Sequence, residues 1–193
     1  MNFTPLTQFR QDYYSILGQI AIAMGAVENQ INITLILMLG DNSKLAANLT
    51  FGSHLDKVIE VCKAVFYSKD QTENATIVFE YVFSELNRLH SERNKNLHCL
   101  WIFNDTKQIA TRLKIGKHKQ GNLNAPDWKD VPMTELQNLN TRLWSLVDEL
   151  IIFVSAYYPN PKVVQTPEMI AKIKSDSESQ LINAKKWYAH KNK

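Results

Sequence analysis

Residues 16–38 constrain this chain more than any other stretch. Ile16, Ile20, Met24, Val27, Ile31, Leu35 and Met38 recur there at steps of three and four. That spacing predicts one long helix over residues 6–39 with a continuous apolar stripe, and it does not fit the alternation of a strand. A stripe of this kind needs other elements packed against it. Gln19, Glu28, Asn29, Gln30 and Asn32 interrupt the same stretch. These groups are costly in lipid, so the helix is expected to lie within protein and not to span a membrane. Gly40, Asp41 and Asn42 supply a helix stop and then a cap.

The same periodicity predicts helices over residues 43–49, 53–67, 72–97 and 133–158. Leu136, Leu139, Leu143, Leu146, Val147, Leu150 and Val154 form the stripe of the last of these. Residues 100–103 and 109–115 are rich in β-formers and flank Asn104, Asp105 and Thr106, which predicts a β-hairpin. Residues 116–132 carry Gly116, Gly121, Pro126 and Pro132 and read as loop. Pro159-Asn160-Pro161 ends the last long helix. Beyond it lies a lysine-rich tail with a weak helical pattern over residues 167–188. The expected fold is all-α: an antiparallel helical bundle over residues 1–160 with a small β-hairpin insertion, then a C-terminal tail over residues 161–193. Only six glycines and six prolines in 193 residues argue against an all-β chain.

At 45% hydrophobic residues the chain can bury a core. Cys62 and Cys99 do not make a disulfide framework, and the N-terminus is not a signal peptide, so reduced thiols and a cytoplasmic location are expected. N-x-T sequons, among them those at Asn32, Asn48, Asn74 and Asn104, are then coincidental. The net charge of +3 is uneven: residues 1–100 hold 8 Lys/Arg against 10 Asp/Glu, and residues 101–193 hold 14 against 9. An anionic partner is drawn to the second half. No His or Cys spacing suits a metal, and no glycine-rich loop cradles a phosphate, so neither metal nor cofactor is expected.

The central helix carries the unusual chemistry. Phe79, Val82, Phe83, Leu86 and Leu89 mark its apolar stripe. At about 100° per residue, Arg93 falls inside that stripe, His90 and Asn94 beside it, and His98 on its edge. A buried unpaired cation is strongly unfavourable. Either Arg93 pairs with a carboxylate, for which Glu28 is a plausible structural partner, or this end of the stripe faces a polar cleft or a second chain. Arg93 and His98 lie about 140° apart on an ideal helix. They converge only if the helix ends near Leu97 or the long Arg93 stem swings round.

Arg93-Asn94-x-x-x-His98, late in a long helix and followed by Trp101 and a hairpin, resembles the motif of the HEPN superfamily. Gly25-Ala26-Val27-Glu28 on the first helix is similar to a bacterial subgroup of it. The resemblance implies a metal-independent endoribonuclease whose composite active site forms at a homodimer interface, acting as a toxin or defence effector restrained by an antitoxin or regulatory protein. His98 would be the general acid or base at the RNA 2′-OH and the leaving oxygen. Arg93 would stabilise the phosphoryl charge, and Asn94 would orient one of the reacting groups. The alternative is a non-catalytic HEPN-like module that binds a nucleotide, RNA or a protein in the same cleft. Lys95, Lys107, Arg112, Lys114, Lys117 and Lys119 form a candidate RNA-guiding surface, flanked by Trp101 and Trp128. Lysines that blunt a hairpin edge are the competing reading.

Overall fold

The computed structural model describes residues 6–40, 42–114, 127–160, 162 and 165–191. In chain order its elements are α1 (Gln8–Met38), α2 (Ser43–Thr50), α3 (Leu55–Tyr67), α4 (Glu73–Leu97), β1 (Leu100–Asn104), β2 (Ile109–Lys114), β3 (Asp127–Asp130), α5 (Met133–Tyr157) and α6 (Pro167–Lys191). The fold is mostly α, with one small antiparallel sheet of order β1-β2-β3. The helical expectation fits, and the hairpin-only part of it is corrected here. Residues 127–130, read as loop, form a third strand. In Asp-Trp-Lys-Asp only Trp128 favours a strand, and the extended state comes from pairing with β2.

By length and composition α1 could cross a membrane. Its stripe of Ile20, Met24, Val27, Ile31 and Leu35 is fully buried. Gln19, Asn29 and Asn32 are exposed, which gives it the one-sided pattern of a core helix.

The chain divides into two compact units. The first comprises Met1–Gly25 and Arg88–Leu143; the second comprises Ala26–Asn87 and Trp144–Lys193. The first unit is organised by the sheet. One sheet face carries Trp101, Phe103, Ala110 and Arg112, since alternate residues share a face. Tyr13 of α1 packs edge-on to Phe103 with ring centroids 5.7 Å apart, and Phe9 stands 5.0 Å from Tyr13. Tyr13 also donates its hydroxyl to the Val131 carbonyl at 2.8 Å. The hairpin turn is held to α1 at Asp105, which accepts from the Thr7 hydroxyl at 2.9 Å and pairs with Arg10 at 2.8 Å.

Hydrogen bonding from Arg10, aided by Thr7, holds the Asp105 carboxyl below the usual carboxylate range. Its contribution to stability is therefore present above the unfolded value of about 3.9 and is lost as pH falls through the lower folded value. Melting temperatures of the parent and Asp105→Asn should differ at pH 7 and converge towards pH 3. A gap that persists at pH 3 would mean the carboxylate charge is not the source.

In the second unit Phe66, Phe79 and Phe153 are fully buried, with Phe66 and Phe79 stacked at 3.9 Å. Asn42 caps α2 by accepting from the Leu45 N–H at 2.9 Å, and Thr72 caps α4 through the Ala75 N–H at 3.2 Å. The C-terminal segment is a 25-residue helix. Gln180 donates to the Glu149 carbonyl at 2.8 Å, and Ala184 is fully buried.

Candidate functional site

The motif residues lie in the first unit, where α4 gives way to β1. The last helical bond here runs from the His98 N–H to the Asn94 carbonyl at 3.2 Å. Beyond it the chain bends and enters β1 at Leu100. Helix ends leave carbonyls without partners. Here the Asn96 carbonyl accepts from the Trp101 indole N–H at 2.9 Å and the Cys99 thiol at 3.1 Å. The Asn96 side chain is itself 3% exposed. Its Oδ1 accepts from Arg112 Nη1 at 2.8 Å, and its Nδ2 donates to the Glu92 carbonyl at 3.0 Å. Asn96 thus ties the end of α4 to the middle of β2.

This stop allows the motif to close. On a continuing helix Arg93 and His98 would diverge by about 140°. With α4 ended at Leu97, Arg93 Nη1 lies 3.3 Å from His98 Nε2. The same nitrogen donates to Asn94 Oδ1 at 2.8 Å, and Asn94 Nδ2 lies 2.9 Å from His90 Nε2. A guanidinium only donates, so in this contact His98 Nε2 is the acceptor. With Oδ1 engaged by Arg93, the Asn94 amide donates in turn to His90 Nε2. His90, Asn94, Arg93 and His98 therefore form one polar row. His98 is exposed, and Arg93 and Asn94 are half-buried. Arg93 Nε is enclosed and has no hydrogen-bond partner. Within the first unit, among the described residues, no carboxylate pairs with Arg93. Glu28 belongs to the second unit.

The candidate basic residues do not form one continuous surface: Lys95 and Arg112 line one cleft, and Lys107 and Lys114 stand apart from each other. Lys95, Lys107 and Lys114 are exposed. Lys107 lies in the hairpin turn and Lys114 at the far end of β2, about 17 Å or more away by strand rise. Lys117 and Lys119 lie outside the described residues. Arg112 departs from an exposed RNA-guiding role: it is 6% exposed and bonded to Asn96, because it points to the packed face of the sheet. Asn96 is the residue that sequence reasoning passed over. On the wheel it falls on the solvent side of α4, and only the return of β2 covers it.

Neither cysteine is set up as a nucleophile. Burial pushes the Cys62 thiol up to about 12. Burial also raises Cys99, with the Arg112 charge pulling the other way. An aromatic disulfide reagent at pH 8 should modify at most Cys99 in the folded protein, with Cys62 reacting only on unfolding. Rapid labelling of both would show that the core around Cys62 opens readily.

Comparison with protein-family models, with curated proteins and with solved structures gives no significant match to this chain.

Proposed function

We propose that this protein is a metal-independent endoribonuclease of the HEPN type, an antiparallel helical bundle that acts as a cytoplasmic homodimer. The observation that carries the reading is the 3.3 Å approach of Arg93 Nη1 to His98 Nε2 at the end of α4. A permanent cation and an imidazole then flank a single point, as phosphoryl transfer requires.

In this reading an RNA phosphate oxygen replaces His98 as the acceptor of the Arg93 N–H. That frees the Nε2 lone pair. His98 takes the 2′-OH proton, the 2′ oxygen attacks phosphorus, and the bond to the 5′ oxygen breaks. The leaving oxygen is protonated by an imidazolium, supplied by the second copy in a composite site. Asn94 holds the guanidinium in register, and His90 holds Asn94. Without a 2′-OH there is no nucleophile, so DNA is spared. Leu100 and Trp128, each 57% exposed, share a cross-strand row with Leu113 two residues from His98. That row offers apolar surface for the second copy. An effector of this kind calls for restraint by an antitoxin or regulatory protein.

The test is cleavage of a mixed RNA pool in EDTA by the purified protein, beside folded His98→Ala. Cleavage by the parent alone supports the reading. Equal cleavage by both overturns the role of His98. The mutual hydrogen bonding of Arg93, Asn94, His90 and His98 also suits a preformed binding pocket without turnover. In that case His98→Ala would change RNA or nucleotide binding, and no cleavage would be seen from either protein.

A further inference from the structure

A cleft lies beside the end of α4, against the sheet. Its cavity of about 280 Å³ is lined by Glu92, Lys95, Asn96, Arg112, Lys129 and Glu135 among others. The charges around it do not cancel. Glu92 pairs with Arg88, and Glu135 pairs with Lys129 at 2.8 Å. Lys95 and Arg112 are left without a carboxylate partner among the described residues of their unit. Arg112 is more than nine-tenths buried; it gives Nη1 to the neutral Asn96, and its Nε has no partner. Burying a guanidinium without an ionic partner is costly, and an anion beside it would offset that cost.

The sheet register points the same way. Arg112 stands directly opposite Lys129 across the β2–β3 ladder. Directly opposed like charges destabilise a strand pair. Glu135 answers Lys129 alone. An oxyanion in the cleft would lie between both cations and answer Arg112 as well.

We propose that this cleft is a binding site for a phosphate group, held by Arg112, Lys95 and Lys129. Arg112 provides planar N–H donors suited to an oxyanion, and Lys95 provides an unpaired charge at the rim. The cavity falls below the ~300–1,000 Å³ of pockets that enclose a drug-sized ligand, so it takes the phosphate and leaves most of any attached group outside. The site shares no residue with the Arg93–His98 row and does not depend on ribonuclease activity.

The experiment is a titration of inorganic phosphate into ¹⁵N-labelled protein at constant ionic strength and pH 7. The Trp101 indole N–H, bonded to Asn96, serves as the reporter. A saturable shift of that signal and of the Arg112 and Asn96 amides is expected. Lys95→Glu should weaken it about tenfold or more, since a reversed charge now sits beside the anion. Lys95 is exposed, so this variant keeps the fold even if Arg112→Lys does not. A non-saturating shift, or one equal in parent and Lys95→Glu, would overturn the site. Uridine 5′-monophosphate beside uridine distinguishes the source. Tighter binding of the monophosphate than of inorganic phosphate assigns the site to a nucleotide or RNA end, and equal binding assigns it to the free ion.

Discussion

On the proposed ribonuclease reading, His98→Ala is expected to lower RNA cleavage by about 10²- to 10⁴-fold, the range of a lost general acid–base catalyst. The size rests on what His98 touches. Its ring is exposed and meets Arg93 Nη1 through Nε2, so truncation creates no core cavity and the variant should fold as the parent does. The loss should therefore appear in the chemical step and not in melting temperature. Arg93→Lys is a useful companion. It keeps the charge but removes the planar fork that both orients on Asn94 and reaches His98. If the site is composite, mixing inactive His98→Ala with inactive Arg93→Ala protein should restore part of the activity, because exchanged dimers regain one complete set. Unchanged cleavage in His98→Ala would remove the imidazole from the mechanism. Dimer exchange without restored activity would remove the composite site.

The second large effect is structural. Asn96→Ala should destabilise the protein by about 3 kcal/mol, because it strands a buried guanidinium and not merely a neutral donor. Arg112 has Asn96 Oδ1 as its side-chain acceptor at 2.8 Å, in a setting where it is 6% exposed. Asn96→Asp restores an acceptor to Arg112 and should cost clearly less than alanine, although it loses the 3.0 Å donation to the Glu92 carbonyl. Urea unfolding followed by tryptophan fluorescence, with the slope unchanged between variants, would measure both. If alanine and aspartate cost the same, the Asn96–Arg112 contact is not what holds this junction. The two predictions connect, because Asn96 anchors the point where α4 stops. Loosening it should also move His98 relative to Arg93, so the cleavage rate of a still-folded Asn96 variant should fall further than its stability suggests.

The helices were legible because their signal is local. Ile20, Met24, Val27, Ile31 and Leu35 repeat at helical spacing, and all five are fully buried in α1. Gly40 follows that helix at φ +73, a conformation a glycine adopts without strain. The hairpin was equally readable, from β-formers on either side of a polar turn. The motif residues themselves stood out because Arg93 interrupts an apolar stripe, a conflict visible on the wheel without coordinates.

What the sequence determined by itself is therefore the set of helices, the first two strands and the place on α4 where polar groups replace core. Three matters were left to tertiary structure. Asp127–Asp130 became a strand because β2 offered its edge, and no property of those four residues requires it. Asn96 and Arg112, both polar and one charged, became buried because the sheet folds back over the end of α4. The meeting of Arg93 with His98 depends on where α4 stops, and that is decided by hydrogen bonds to Asn96 from Trp101, Cys99 and Arg112. Periodicity reports on neighbours three and four residues away. A bond between residues 96 and 112 is set by how the chain returns, and the local pattern of neither residue encodes it.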